Sequence, residues 1–214
     1  MKAIPRELRK PNTNSNFHRE LRKSLSLNEL QKEVLLGSLM GDGCLIANSS
    51  QTNYRLQIEH SDRQKDYVFW KYELFKNFVL SPPKYLTPTR SWKFRTISHP
   101  ELSRYHRVFY ENKKKILPND ITFLSNPLTS AIWFMDDGGR LGNSGCLINI
   151  QNFTDDEAFR LRNFFREILA IPVTLHRNKR RFRLYIPSAY KLKWSEYIGD
   201  YLRSEFKYKI PQAP

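Results

Sequence analysis

The fold of this chain is decided by two stretches, LLGSLMGDG at residues 35–43 and SAIWFMDDG at residues 130–138. In each stretch an apolar segment that contains small residues runs into an Asp-Gly pair. Asp42 and Asp137 stand 95 residues apart, which is close to half of the 214-residue chain. A pattern repeated at that distance predicts a duplicated domain, with one acidic helix end in each copy.

Acidic residues are unusual at these positions, because the C-terminus of a helix carries partial negative charge and repels a carboxylate by about 0.3–1 kcal/mol. If the two helices pack side by side, Asp42 and Asp137 also repel each other. A cation between them relieves this repulsion, and Mg²⁺ binds oxygen ligands of this kind. A single Asp-Gly after a helix is more often an ordinary turn. Two copies at matched spacing favour the metal site.

The composition points to a polyanionic partner. The chain has 36 Lys and Arg against 21 Asp and Glu, a net charge of +15. Such an excess favours nucleic acid first and an anionic membrane second. No apolar run approaches the roughly 20 residues of a membrane span. With 40% hydrophobic and 14% aromatic residues, the chain has enough apolar material for a folded core.

Several classes of protein are disfavoured. Cys44 and Cys146 are too few for a disulfide scaffold, and the five histidines lack the spacing of a zinc site. Neither a phosphate-binding loop nor a nucleophile elbow occurs. The basic segment 1–24 does not resemble a secretory signal. A transit peptide and an arm that lies along phosphates both remain open for it.

The two halves predict the same order of elements. The first half predicts a helix that is capped by Ser26 or Asn28 and runs to Met40, followed by strands at 44–47 and 53–60. A second helix runs from the capping box at 61–64 to Val79. A hairpin over 85–97 and a helix over 100–111 complete this half. The second half predicts a helix over 127–136 and, after a Gly-rich turn, a strand over 146–151. A helix runs from the capping box at 154–157 to Leu169. A hairpin of 173–177 with 182–186 and a helix over 188–203 complete this half.

Two further features support a duplication. Lys115 precedes Pro118 and Lys209 precedes Pro211, so that the two lysines lie 94 residues apart. Gly37 and Gly41 lie four residues apart on one helix face, where they permit a close contact with a second helix. The resulting domains are a basic arm at 1–24, a first half at 25–118 and a second half at 119–214.

At the two Asp-Gly helix ends the chain resembles a LAGLIDADG homing endonuclease. The first stretch matches that nine-residue motif at Leu35, Gly37, Asp42 and Gly43, and the second matches through Ala131, Asp137 and Gly138. The segment WFMDDGG at residues 133–139 is similar to the second motif of the monomeric, double-motif subgroup, whose members are encoded by mobile introns. The resemblance extends over about residues 25–214 and includes VLSPP at 79–83 and KILP at 115–118.

The resemblance implies an α+β protein with two pseudo-symmetric α-β-β-α-β-β-α halves, the homing endonuclease fold. The halves join at the LAGLIDADG helices, and each presents an antiparallel saddle of strands to DNA. One chain is then expected to bind a long, asymmetric duplex as a monomer. Ser38 and Met40 depart from the first motif. In the second motif Ile132 stands where a glycine would let the helices approach, with Trp133 beside it, which we interpret as asymmetric packing.

The resemblance also implies a metal-dependent mechanism. Hydrolysis of a phosphodiester needs a positioned water and neutralised charge, both of which carboxylate-bound Mg²⁺ supplies, with Mn²⁺ as a substitute. Asp42 and Asp137 are the expected metal ligands, one for each strand cut. Gly41 and Asp136, which precede them, are candidates to offer further oxygens, although Asp136 could instead only cap its helix.

Other polar residues are candidates for supporting roles. Lys115 and Lys209 could polarise the water or steady the scissile phosphate, or they could be ordinary surface charges. Candidates to order solvent around the metals are Gln57, Glu59, Gln151 and Asn178, and each is more readily explained as a strand residue with a cross-strand or DNA contact.

Arg and Lys read guanine, and Asn and Gln read adenine, in the major groove. The candidate DNA-binding residues are Asn48, Gln51, Asn53, Arg55, Lys84, Thr87, Arg90, Lys93, Arg95, Asn143, Asn149, Lys179, Arg181 and Arg183.

The hypothesis is therefore a site-specific endonuclease that hydrolyses both strands of a long DNA target, leaves short 3′ overhangs and promotes intron mobility. An organellar location, in a chloroplast or mitochondrion, follows only from the resemblance. Two alternatives stay open: an intron RNA maturase and a catalytically inert DNA-binding protein. An intact pair of aspartates favours cleavage over the maturase alternative, because a pure maturase is free to lose it.

Overall fold

The computed structural model describes residues 20, 22–142 and 144–210. They form two compact units. The N-terminal unit holds the described residues up to Lys32 together with Asp42–Arg107, and the C-terminal unit holds Glu33–Gly41 and the described residues from Val108 onward. Most of the first motif helix therefore belongs to the C-terminal unit. Among the described residues, none of the helices combines the length and apolar character that a membrane crossing requires.

The first half contains three helices and a four-stranded sheet. Its elements are α1 (Glu29–Met40), β1 (Cys44–Ala47), β2 (Tyr54–Ser61), α2 (Lys65–Leu74), β3 (Lys84–Leu86), β4 (Ser91–Arg95) and α3 (Pro100–Phe109). The cap of α1, which the sequence left open, is Asn28. Its Oδ1 accepts from the Gln31 amide at 2.8 Å, and Gln31 Oε1 accepts in return from the Asn28 amide at 3.0 Å.

The first sheet is antiparallel in the order β1-β2-β4-β3. Along β2, Leu56, Ile58 and His60 face the core, and alternate residues between them face outward. Helix α2 packs against β2 and β4 and covers the buried face. The outward face of this sheet is left to polar and basic side chains.

The capping box predicted at 61–64 does not form. Ser61 pairs with Ser91 as the last residue of β2, and its side chain makes no capping hydrogen bond. The Asp62 amide donates to the carbonyl of Arg90 at 2.8 Å, and its carboxylate accepts from the Trp92 indole at 2.7 Å. These contacts tie the segment to its neighbouring strand, so that a 3₁₀ turn intervenes and α2 begins only at Lys65.

The second half repeats the order and adds a short hairpin before it. The elements are β5 (Tyr110–Glu111), β6 (Lys114–Lys115), α4 (Pro127–Asp137), β7 (Gly138–Arg140), β8 (Gly145–Asn149), α5 (Asp155–Glu167), β9 (Thr174–Asn178), β10 (Arg181–Pro187) and α6 (Lys191–Gly199). The second sheet has the order β7-β8-β10-β9 and matches the first strand for strand. The predicted α+β class and the repeated α-β-β-α-β-β-α order are confirmed.

Three short strands, β5, β6 and β7, were not predicted. Part of the expected Gly-rich turn is β7, whose Gly138 and Gly139 pair with Ile148 and Leu147. The β5–β6 hairpin turns at Asn112 and Lys113, which both have positive φ. In contrast, the capping box predicted at 154–157 is present, because the Thr154 and Glu157 side chains each accept from the other's backbone amide.

Candidate functional site at the ends of the motif helices

The two motif helices touch within the C-terminal unit, where Glu33–Met40 of α1 packs on α4. A Cβ atom on Gly37 would lie 2.5 Å from the carbonyl oxygen of Thr129 and 2.6 Å from Cβ of Ile132. Real Cβ atoms do not approach so closely, so this contact requires glycine. The larger residue in the second motif, Ile132, thus fills the space that the first motif leaves empty.

The acidic end of the second motif lies against the end of the first. A Cβ on Gly41 would lie 2.5 Å from Cβ and 2.7 Å from Oδ2 of Asp136. The Asp136 carboxylate therefore rests on the backbone that leads directly into Asp42. At the other end of the helix pair, Asn126 Nδ2 donates to Glu33 Oε1 at 2.8 Å.

Lys115 and Lys209 bind the C-terminal ends of the motif helices. Lys115 Nζ donates to the Gly41 carbonyl at 2.7 Å, and Lys209 Nζ donates to the Met135 carbonyl at 2.6 Å. Lys209 is only 8% exposed, so it is not an ordinary surface charge. A cation at each helix end compensates the partial negative charge there. This arrangement explains how the fold tolerates carboxylates at the same ends.

Asp42 follows α1 and lies in the N-terminal unit. Its side chain is 48% exposed, and its Oδ2 lies 3.4 Å from Nδ1 of His60. The His60 side chain is 1% exposed and packs its ring 5.1 Å from the ring of Tyr67. Sequence analysis missed His60. Its place in the alternation with Leu56 and Ile58 was the available signal, because a histidine on a buried strand face needs a polar partner.

The strand registers show which residues of the two sheets are equivalent. Cys44 pairs with Gln57, and Gly139, 95 residues later, pairs with Leu147. Gln57 is therefore equivalent to Leu147 and not to Gln151. Gln151 lies in a turn beyond β8, where its Nε2 lies 3.4 Å from Oδ1 of Asn149.

In the same register Glu59 is equivalent to Asn149. Burial alone would raise the pKa of Glu59, but hydrogen bonds from Ser91 and Lys93 outweigh it and hold this pKa below the ordinary value. Glu59 thus makes a cross-strand contact, with Lys93 on β4. Asn149 instead donates from Nδ2 to the backbone carbonyl of Asp137 at 3.0 Å, which places a predicted DNA-binding residue beside the second motif.

Basic residues line an open groove of about 520 Å³ in the N-terminal unit. Its lining includes five of the predicted DNA-binding residues, which are Asn48, Arg55, Lys84, Lys93 and Arg95. Burial, and then the charge of Arg95, lower the pKa of the Arg55 guanidinium. Among the described residues, the buried Nε of Arg55 has no hydrogen-bond partner. An anion in this groove would relieve both penalties.

Two of the predicted DNA-binding residues, Asn48 and Asn53, also make hydrogen bonds that hold a loop. Asn48 Oδ1 accepts from the backbone amides of Thr52 and Asn53 at 2.9 and 3.3 Å. Asn53 Oδ1 accepts from the Ser103 hydroxyl at 3.0 Å. These amide oxygens stabilise the β1–β2 connection.

The remaining predicted DNA-binding residues of the first half are in turns or on loops near strand ends. They are Gln51, Thr87 and Arg90, of which Gln51 and Arg90 have positive φ.

The second sheet carries a polar network on its outward face. In the amide orientation that satisfies both polar atoms, Asn178 Oδ1 accepts from Nε and Nη2 of Arg183 at 3.0 and 2.8 Å and from Gln151 Nε2 at 3.0 Å. The rings of His176 and Tyr185 stack beside it at 4.4 Å, and sequence analysis did not single out this pair.

Arg181 lies with Nη1 3.8 Å from Oδ1 of Asp155. Lys179 has positive φ in the β9–β10 turn. The predicted DNA-binding residue Asn143 lies outside the described residues.

With this geometry in place, residues 32–192 match the model of the LAGLIDADG DNA endonuclease family. The chain belongs to that family. In fold it is similar to the homing endonuclease I-WcaI bound to its DNA recognition sequence, with a TM-score of 0.86, 24% identity and complete coverage of both chains. It is also similar to I-DmoI in complex with DNA and Ca, with a TM-score of 0.53, 16% identity and coverage of 78% of this chain and 88% of that one.

Curated relatives carry three kinds of name. Protein RecA of Mycolicibacterium chitae is 30% identical over 200 residues, which are 86% of this chain and 47% of that protein. The chain thus spans about half the length of the RecA relatives that it matches. Probable intron-encoded endonuclease 1 of Wickerhamomyces canadensis is 26% identical, with 92% and 91% coverage. Cytochrome b mRNA maturase bI2 of Debaryomyces hansenii is 28% identical, with 91% and 76% coverage.

Proposed function

We propose that this LAGLIDADG family member is a site-specific homing endonuclease that hydrolyses both strands of a long DNA duplex. The observation that carries the proposal is the pair of motif helices in contact at Gly37 and Ile132, each running into an acidic end. A structural duplication needs no carboxylates at these ends, where they are electrostatically unfavourable. A divalent cation bound by these carboxylates would offset the unfavourable electrostatic energy.

Each of the two helix ends offers ligands of the kind that a hard divalent cation binds. Asp42, Asp136 and Asp137 offer carboxylate oxygens, which Mg²⁺ prefers, with Mn²⁺ as a substitute. The Gly41 carbonyl accepts from Lys115 but retains a second lone pair for a ligand. Bound metal would lower the pKa of a water and neutralise charge on the phosphate.

The side chains themselves have separable roles in this proposal. Asp42 and Asp137 each serve one strand cut. Lys115 and Lys209 hold positive charge beside the two helix ends, where the scissile phosphates would lie. Gln57 and Gln151 remain proposed to order solvent, although the strand registers place them in different settings.

DNA binding is proposed to follow the basic outward faces of the two sheets. The groove lined by Arg55, Lys84, Lys93 and Arg95 supports this, as does the net charge of +15. Two proteins of similar fold were solved bound to DNA. Because both motifs lie on one chain, we propose that a monomer is sufficient.

The genetic setting is proposed to be a mobile intron, with cleavage that leaves short 3′ overhangs and promotes intron mobility. An organellar location is proposed from the names of the intron-encoded endonuclease and the cytochrome b mRNA maturase. The RecA relatives show that similar sequences also occur within much longer bacterial proteins.

A randomised duplex library tests the proposal directly. Purified protein is incubated with the library in Mg²⁺, in Ca²⁺ or in EDTA, and the cut ends are sequenced. We expect Mg²⁺-dependent double-strand cuts at one long site with short 3′ overhangs. The site recovered then serves as substrate for the variants.

Substitution of the motif aspartates is expected to separate binding from cutting. Asp42→Asn and Asp137→Asn should bind the recovered duplex but make no double-strand breaks, because each removes a charged metal ligand. The control is Asp66→Asn, an exposed aspartate in the first turn of α2. Normal cutting by either motif variant would sink the assignment.

Maturase activity is the second candidate function, and the similarity to a cytochrome b mRNA maturase favours it. It predicts tight binding to intron RNA and faster splicing without any duplex cleavage. Specific duplex binding with neither cutting nor RNA binding would instead identify an inert DNA-binding protein.

A further inference from the structure

The two motif aspartates are supported by different residues, and the first has a histidine. Asp42 Oδ2 faces Nδ1 of His60 at 3.4 Å. His60 projects from β2 into the core, whereas the Asp42 carboxylate is nearly half exposed. An imidazole with its proton on Nδ1 can donate to one carboxylate oxygen and leave the other directed outward. Such a contact restricts the rotamers of the aspartate.

The histidine is itself held in place by buried neighbours. Its ring packs against Tyr67, and Lys71 Nζ lies 4.1 Å from the centre of the Tyr67 ring. His60 is 4% exposed, and Tyr67 and Lys71 are fully buried. Because the array is closely packed, the direction of Nδ1 is set by the fold rather than by solvent.

The second half has a different residue at the equivalent position. With Gln57 equivalent to Leu147, the same spacing carried one residue beyond the end of β8 aligns Ile150 with His60. Ile150 is 1% exposed and has no polar atom in its side chain. Near Asp137 the polar support comes instead from Asn149, which binds the backbone carbonyl.

We propose that His60 is a positioning residue that orients the Asp42 carboxylate for metal binding, and that it serves only the strand cut assigned to Asp42. This inference rests on the proposed function and adds an asymmetry to it. Loss of His60 should convert the enzyme into one that nicks a single strand, because among the described residues the position equivalent to His60 is held by Ile150, which has no polar side-chain atom.

Three substitutions separate positioning from packing. His60→Leu keeps an apolar side chain of similar reach but removes both nitrogens. His60→Asn places its amide nitrogen close to the position of Nδ1, whereas His60→Gln places it nearer to Nε2. If the Nδ1 contact matters, Asn restores function and Gln does not. Ile150→Leu is the matched control in the second half, just beyond the end of β8.

The first readout is strand-specific cleavage of the duplex recovered from the library. The two strands carry different fluorophores, and duplexes already nicked in one strand report the other cut alone. We expect His60→Leu to slow one strand by about 10–100-fold, as losses of such supporting contacts typically do. The slowed strand should be the one that Asp42→Asn affects more. Equal slowing of both strands, or of neither, would overturn the inference.

The second readout needs neither DNA nor activity. Mn²⁺ is titrated into each folded variant and free Mn²⁺ is followed by electron paramagnetic resonance. His60→Leu should weaken binding at one site by about 10-fold or more, and His60→Asn should restore it. Unchanged Mn²⁺ affinity in His60→Leu would mean a packing role only. A wild-type protein that cuts no duplex overturns the proposed function, and this titration still decides the role of His60.

Discussion

Gly37 shows how one missing side chain sets the contact between the motif helices. A methyl group there would overlap the Thr129 carbonyl and Cβ of Ile132, and backbone atoms cannot move aside easily. We expect Gly37→Ala to destabilise the protein by about 1–3 kcal/mol, because the cost of overpacking exceeds the gain in helix propensity. Urea unfolding monitored by circular dichroism measures the change.

Gly199→Ala is the matched control, because this glycine ends α6 and nothing lies within 4 Å of its absent Cβ. Its effect should stay within about 0.5 kcal/mol. If the two variants have the same stability, the close approach at Gly37 is not as the structure shows it.

The two cysteines should differ in reactivity because only one is accessible. Burial raises the pKa of the Cys146 thiol to about 11, whereas Cys44 is partly exposed. The thiolate is the reactive form, so at about pH 8 Cys146 stays protonated and its reaction becomes appreciable only as the pH rises toward its pKa. Alkylation by iodoacetamide followed by mass spectrometry should label Cys44 first. Equal labelling of both in the native protein would contradict this.

At the scale of elements, each motif helix has a lysine bound at its C-terminal end, and the one on the second helix, Lys209, is buried. Lys209→Met removes a charged hydrogen bond to the Met135 carbonyl in a nearly buried position. We expect a loss of about 1.5–3 kcal/mol, since a buried carbonyl is left without its charged donor. Thermal and urea unfolding measure it.

Lys193→Met provides the comparison, because Lys193 Nζ also donates to a carbonyl, that of Ala170 at 2.9 Å, but on the surface. Solvent replaces this bond, so the loss should be no more than about 0.5 kcal/mol. A similar loss in both variants would show that burial of Lys209 adds nothing.

The predictability of the elements follows from how local their causes are. The Thr154 capping box was predicted, and Asn28 was one of the two predicted caps of α1, because the donors and acceptors of both caps lie within three residues of each other. The box at Ser61 failed because the Arg90 carbonyl and the Trp92 indole, about 30 residues away, compete for the same segment. β7 was missed because glycine has little strand propensity, and its pairing with β8 decides its structure.

The candidate site shows the same division. The aspartates, the lysines and their spacing are visible in the sequence because the duplication repeats them. His60 has no counterpart at the equivalent position in the second half, so the repeat could not reveal it. Its contact with Asp42 joins residues 18 positions apart through the strand register.

For the whole molecule, the charge should dominate DNA binding. Neutralisation of many phosphates releases counterions, so affinity is expected to fall by roughly 10³–10⁵ between about 50 and 200 mM salt. Fluorescence anisotropy with the recovered duplex in Ca²⁺ measures this dependence. An affinity that changes little with salt would contradict a binding surface built on residues such as Arg55 and Arg95.

The chain segments that form each unit determine where genes of such proteins could recombine and still encode a folded protein. Residues 33–41 belong to the C-terminal unit although they precede most of the N-terminal one. A gene cut between the repeats, near residue 118, would therefore produce a second fragment that lacks a helix of its own core and exposes Ile132. Exchange of intact units would need junctions near Lys32, Asp42 and Arg107. Recombination near residue 118 alone is expected to yield insoluble hybrids, because the motif helix of one parent must then pack in the C-terminal core of the other, whereas junctions at the three unit boundaries are expected to yield folded ones.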